Sequence, residues 1–407
     1  MAQINSFRVR SVKIHLTDDA VLADVEERLK ANDFEYKIKA PKYVNSGFDK
    51  MSPHMLFPVQ YDASRVETVI EAKVYDLEQL KQLGKLFGKK LTDKSTYLHF
   101  PTKKANTNSK KIWQSSNEYE PEYPVFIISK GRYARDLSKT GNWLESIGFN
   151  DFKVVVEQQE YEQYAERFGE DRVMIIPQYY FEDLNIEFSV RPRKYVFDFC
   201  NETGIKKHWC LDDNFDGFSL WNLHTCLELK SLVGMVYLEQ LSNTYDKMGL
   251  LGFIERKFIP ASSLHQRELN QFNTRVFSCI LIDNEMLTAN GINWRNKYNE
   301  DLDLNLQCLT KGICTFRCNQ VQINKPTTLS MKGGNTTDCH VNGGIEKRVD
   351  YIIEMFPKQC SKSYKKNKTL GCHFIVDYKA FNQRPTGFSF NGKRAGFEYG
   401  DYALYLT

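Results

Sequence analysis

The chain has 407 residues, 42% hydrophobic and 13% aromatic, enough apolar material for a full core and enough length for two or three domains, which excludes disorder as its default state. Its formal charge of +4, from 55 basic and 51 acidic residues, is too small to establish a polyanionic partner, so any such partner must be met by local basic patches. No stretch approaches membrane-spanning length, and the ten Cys lack the paired CxxC spacing of a zinc site, so they read as reduced thiols.

The first segment, MAQINSFRVRSVKIHLTDD, carries a charge every few residues and no apolar run of signal-peptide length, which predicts a cytoplasmic protein in a bacterial host. Alternation at Phe7, Val9, Val12, Ile14 and Leu16 predicts a strand, and helical spacing follows over 18–30 and 77–87. Residues 1–120 thus read as a small α/β domain ending in a polar, Lys-, Asn- and Ser-rich linker over 101–122. From Tyr123 strands alternate with helices: PVFIIS at 124–129, a helix over 135–148, KVVV at 153–156, a helix over 160–168 and VMII at 173–176. A helix over 193–203 and the strand KHWCL at 207–211 complete the series. This pattern predicts an α/β core over 121–355 with a largely parallel sheet covered by helices. Residues 356–407 form a basic, aromatic-rich C-terminal segment.

In open α/β sheets ligands sit at the carboxyl ends of strands, which singles out two turns. The first is ISKGRYAR, where Ser129, Lys130, Gly131 and Arg132 follow a strand. Small residues allow close backbone approach, and a following helix N-terminus with Lys and Arg favours a diphosphate; the alternative is an ordinary polar strand-to-helix turn. It is neither a Walker loop nor a GxGxxG. The second is Asp212-Asp213-Asn214, placed like a D-x-D motif. Its carboxylates suit Mg²⁺ or Mn²⁺ bridging a donor diphosphate, or they merely cap the next segment.

Further on, Tyr298-Asn299-Glu300-Asp301-Leu302-Asp303-Leu304 opens a helix whose Leu302, Leu306 and Leu309 face the core. Asp301, with Glu300 beside it, is either the general base that sugar transfer to an alcohol needs or a partner of the helix dipole. The stretch MKGGNTTDCHVNGG sets His340 between two Gly pairs, as a loop over a phosphate-bearing ligand with a metal-completing His, or as a surface loop. Lys103, Lys104, Lys110 and Lys111 surround Trp113, and Lys365, Lys366 and Lys368 lie beside Tyr364. Such runs supply sequence-independent affinity for DNA phosphates with aromatics to stack on bases, or they are solvated faces.

The order of these motifs resembles one family, the TET/J-associated glycosyltransferases of phages, related to phage enzymes that add arabinose or glucose to hydroxymethylcytosine. The matching segments are YPVFIISKGR, VVVEQQEYEQY, Arg191, WCLDDNF, YNEDLDLNLQCLTKG and the late KGGN loop, together about Tyr123 to Gly344. The resemblance implies a GT-A fold with a UDP-sugar across the carboxyl edge of the sheet and a divalent metal at the acidic triplet. It further implies that the 129–132 turn and Glu157 hold the nucleotide, that Arg191 reaches the diphosphate or sugar, and that Asp212 contacts the donor. Asp213, with Asp212 and His340, would hold the metal, and Asp301 would be the base. Asn214 departs from the D-x-D pattern. The implied acceptor is hydroxymethylcytosine DNA, with arabinose favoured over glucose. The rivals are a transferase acting on a small molecule or glycan and a non-catalytic DNA-binding protein that keeps the fold.

Overall fold

The computed structural model describes residues 8–16, 21–42, 67–100, 112–115, 119–183, 186–222, 225–258, 270–295, 298–326, 344–364, 372–386 and 404–406. The chain forms two compact units, Met1–Ser52 with Phe57–Lys110, and Pro53–Leu56 with Lys111–Thr407. In the first unit, β1 (Arg10–Leu16), β2 (Tyr36–Lys42), β3 (Glu67–Val74) and β4 (Tyr97–Phe100) form a sheet in the order β2-β3-β1-β4. The helices Leu22–Lys30 and Leu77–Leu86 carry Val25, Leu29, Leu80 and Leu83 at helical spacing. These side chains pack on the alternate residues Val12, Ile14 and Leu16 of β1 and Ile70, Ala72 and Val74 of β3, so one face of the sheet is the core.

In the second unit a large sheet collects β5 (Ile112–Ser115), β6 (Val125–Ile128), β7 (Phe152–Val156), β8 (Val173–Ile175), β9 (Lys207–Asp212), β10 (Phe218–Asn222), β11 (Thr225–Leu229), β12 (Met248–Glu255), β13 (Asn270–Phe272), β14 (Cys279–Asp283) and β15 (Cys314–Ile323). The hairpin β16 (Cys360–Tyr364) and β17 (Cys372–Val376) stands apart, and β18 (Leu404–Leu406) pairs with β5. The main order is β18-β5-β11-β10-β15-β12-β14-β9-β6-β7-β8. The expected α/β architecture is present, a GT-A-like core with a mixed sheet. Its continuous parallel block is β9-β6-β7-β8, and beyond it β14 runs antiparallel to both β9 and β12.

This topology fixes where a ligand can sit. The chain steps outward from β6 to β7 to β8 and returns to place β9 on the other side of β6. The strand order therefore reverses between β6 and β9, and the crevice above that reversal is where open α/β sheets bind ligands. Because β14 is antiparallel to both its neighbours, β12 runs the same way as β9, and β15 is parallel to β12. The carboxyl ends of β6, β7, β9, β12 and β15 thus share one edge.

The helix Glu300–Thr310 is apolar on more than one side, as a fully enclosed helix must be. Leu302, Leu306 and Leu309 pack on Ile352, Phe356 and Cys360, while Leu304 and Cys308 belong to the core under β9 and β14. The described part of the C-terminal segment contributes Phe374, Val376, Tyr378 and Phe381 to the first of these clusters.

Candidate active site at the strand-order reversal

Ser129 directly follows β6 and Asp212 ends β9, with Ile128 and Asp212 in register, so the two turns singled out in the sequence lie side by side. Asp213 is buried and forms an ion pair with Arg132. The backbone N–H of Arg132 donates to the Tyr164 hydroxyl (2.9 Å), which lies 2.6 Å from Ser129 Oγ. Ser129 Oγ in turn donates to Asp213 Oδ2 (2.6 Å), so Tyr164 is the donor to Ser129 and the chain of hydrogen bonds runs in one direction. Burial pushes the Tyr164 phenol up and keeps it protonated, as this role requires.

Gly131 has φ of +65°, a left-handed conformation that suits glycine, and its N–H points at the Glu160 carboxylate (2.9 Å). The Gly131 and Arg132 amides are therefore taken by protein acceptors and brace the turn. The helix expected to start near Arg135 begins at Lys139, because Ser138 turns back to donate its hydroxyl to the Arg132 carbonyl. Its N-terminus does not open directly on the turn, so the exposed polar groups here are side chains. Lys130 reaches across to Glu157 at the end of β7 (2.8 Å), joining two residues expected to hold the nucleotide.

Asp212 is the hub of a second cluster. Arg193 Nη2 donates to its Oδ1 (2.6 Å) and Lys325 Nζ to its Oδ2 (2.7 Å). Burial alone would push this carboxyl up, but the Lys325 ammonium and Arg193 guanidinium outweigh it and hold the carboxyl at about 2. Lys325 also donates to Ser278 Oγ (2.8 Å) and lies 3.7 Å from Glu255 at the end of β12, which itself pairs with Lys257 (2.5 Å). Arg193 continues to Glu300 (3.7 Å), whose carboxylate accepts from Ser189 Oγ (2.5 Å). One guanidinium thus ties the strand-end carboxylate to the helix start expected to supply the base.

Asp301 accepts from Nε and Nη2 of Arg275 (2.9 and 2.6 Å). The Arg275 guanidinium lies over the Phe277 ring at 5.1 Å, and Phe277 meets Phe258 edge-on at 6.1 Å. Asp303, by contrast, is buried and locked to Arg295 (3.0 Å) and Gln307 (2.8 Å), a structural role.

Arg191 falls elsewhere. Two residues apart on the helix Val190–Glu202 means about 200° around its axis, so Arg191 and Arg193 face different surroundings. Arg191 lies over the Phe181 ring at 5.0 Å, and its Nε is buried without a hydrogen-bond partner among the described residues. The contacts with Asp212 and Glu300 belong to Arg193, which sequence reading passed over, as it did Lys325, Glu255, Tyr164 and Glu160. Lys325 carried only a weak signal: it lies two residues past the end of a strand with a mixed polar and apolar sequence, at the edge where strand-end ligand residues are found.

His340, Lys103, Lys104, Lys110, Lys111, Lys365, Lys366 and Lys368 lie outside the described residues. Among the described residues no three His, Cys, Asp or Glu side chains converge in a way that could hold a metal ion. Every carboxylate oxygen of Asp212 and Asp213 already accepts from a protein donor, so the expected Mg²⁺ or Mn²⁺ would have to share these oxygens with Arg193, Lys325, Arg132 and Ser129. Two unit charges of one sign at about 4 Å repel by about 4 kcal/mol at a protein's effective dielectric, and a divalent ion doubles this. An ion on Asp212 would meet that repulsion from both Lys325 and Arg193.

The core thus gathers acidic and basic side chains at its strand-order reversal. The model of the TET-associated glycosyltransferase family matches residues 123–334, more than half of the chain, and the chain belongs to that family. No curated protein matches it.

Proposed function

We propose that the protein transfers a sugar, arabinose in preference to glucose, from a UDP-sugar to the 5-hydroxymethyl group of cytosine in phage DNA. The observation that carries this reading is the junction at Arg193, which links Asp212 at the strand-order reversal to Glu300 at the helix start (2.6 and 3.7 Å). With the donor read at Asp212 and the acceptor at Glu300, this junction supports transfer between two neighbouring substrates.

In this reading the nucleotide lies along the Ser129–Arg132 turn and Glu157, with its diphosphate toward Arg193 and Lys325. The acceptor oxygen forms the new bond to the anomeric carbon as the bond to the diphosphate breaks, and the diphosphate leaves with the electron pair. The acceptor's proton passes to Asp301, with Glu300 as the neighbouring carboxylate. Lys257, Phe258, Phe277 and Arg275 offer a nucleic acid what it needs close to that base: cations for phosphates and an exposed ring, Phe258 at 49% exposure, for a nucleobase. The test is incubation with hydroxymethylcytosine DNA and a panel of nucleotide sugars, followed by the mass of the released nucleosides. A pentose or hexose increment on hydroxymethylcytosine is expected; an increment only on a small molecule or glycan would replace the acceptor.

A further inference from the structure

We propose that the positive charge for the donor's diphosphate comes from Arg193 and Lys325, in place of a divalent metal ion. The inference rests on the donor-site reading above and goes beyond it by naming the groups that take the leaving group's charge. Both cations are built into the fold. Arg193 is buried and anchored through Nη1 to the Ser189 carbonyl (2.9 Å) as well as to Asp212. Lys325 follows a strand whose pairing with β12 jumps from Phe253–Cys318 to Ile254–Gln322, an irregularity of the kind that re-aims side chains beside active sites. Its neighbour Asn324 is pinned on both sides, accepting from the Asp216 N–H (2.9 Å) and donating its own N–H to the Gly217 carbonyl (2.8 Å). The Lys325 ammonium therefore has a fixed approach to the edge where β6 and β9 part.

Each cation also keeps donors to spare. A guanidinium has five N–H donors and an ammonium three. The hydrogen bonds of Arg193 occupy Nη1 toward Ser189 and Nη2 toward Asp212, and those of Lys325 go to Asp212 and Ser278. A diphosphate can accept from the remaining N–H groups without breaking these bonds. Asp212 then acts as the positioning residue that holds both cations charged and aimed. A metal ion on the same carboxylate would have to bind beside both cations, against their charge. When the anomeric C–O bond breaks, its electron pair ends on a diphosphate oxygen already facing preoriented cations, with no charge left to rearrange.

The experiment is calorimetric binding of UDP to the full chain, in excess EDTA and again in MnCl2. The wild type should bind with Kd values within about threefold of each other. Lys325→Gln should weaken UDP binding by roughly 10- to 100-fold, the usual scale of one charge-assisted hydrogen bond, and Lys325→Arg should recover most of it. Circular dichroism on the same samples separates misfolding from lost binding, and the wild-type metal comparison stands even where Lys325→Gln does not fold. UDP binding that disappears in EDTA and returns with Mn²⁺ overturns the proposal while leaving the donor-site reading intact. No UDP binding under either condition overturns both.

Discussion

Arg193 and Arg191, two residues apart on one helix, should respond very differently to the same substitution. Arg193→Met leaves Lys325 as the one cation on Asp212 and takes the guanidinium from Glu300, in surroundings where Arg193 itself is only 8% exposed. Removing one partner of a buried ion pair costs about 3–5 kcal/mol, because a charge stays buried without its counter-charge. Arg191→Met removes a guanidinium lying 5.0 Å from the Phe181 ring, an interaction of about 0.5–1 kcal/mol, and also removes a buried Nε that has no partner among the described residues. The expected difference is therefore at least about 2 kcal/mol, read as the shift in urea midpoint at constant m-value. Adding Asp212→Asn to Arg193→Met should recover part of the loss, with a coupling of about 1–3 kcal/mol for two groups in direct contact. Equal losses for the two single variants, or a larger one for Arg191→Met, would refute the assignment of the bridging role to Arg193.

Asp301→Asn keeps an acceptor for Arg275 but cannot take a proton, so single-turnover sugar transfer should fall by roughly two to four orders of magnitude, with a lower melting temperature because the Arg275 guanidinium loses its counter-charge; parental turnover would remove Asp301 as the base. Gly131→Ala places a side chain on a residue with φ of +65°, which should cost about 1–2 kcal/mol in denaturant unfolding and weaken UDP binding through the displaced turn. His208 is fully buried, its Nδ1–H donates to Asn284 (2.8 Å), and burial holds its pKa down at about 4. The unfolded chain, with an ordinary histidine pKa of about 6.5, binds the extra proton first, so stability present above about pH 6.5 is lost as pH falls toward 4, by about 3 kcal/mol in all. Denaturant titrations across that window should show the loss in the wild type and a flatter dependence in His208→Gln. Phe258→Ala should weaken single-stranded DNA binding by about 10- to 100-fold, the worth of one stacked base, with UDP affinity retained; unchanged DNA affinity would remove this ring from the acceptor surface.

The strands and helices around the site were legible because each carries its own periodicity. VFII, KVVV and the run into Asp212 are short apolar strands, and the intervening helices have the spacing of one buried face. Strand-end logic then sufficed to put Ser129 and Asp212 at the ligand edge of the sheet, while the Ser129–Asp213 contact came only with the structure. The partners of Asp212 were not legible, since Lys325 lies 113 residues away and arrives only through the pairing of β15 with β12, a long-range choice without a local pattern. Choosing between Arg191 and Arg193 depends on which face of the helix meets the sheet, and that helix begins at Val190, three residues before the start expected from the sequence. With the later start Arg191 falls before the helix and has no helical face to compare, and helix ends are the least determined feature of a sequence reading. The Arg135 to Lys139 difference is again a helix end, set by a turn in which the Ser138 hydroxyl bonds the Arg132 carbonyl six residues back.

The most direct test of the account is a crystal structure of the protein with UDP. The diphosphate should lie over the parting of β6 and β9, with its oxygens within about 2.7–3.2 Å of Arg193 and Lys325 nitrogens and the ribose toward Lys130 and Glu157. A diphosphate bound away from Asp212, with Arg193 and Lys325 still paired only to carboxylates, would contradict it.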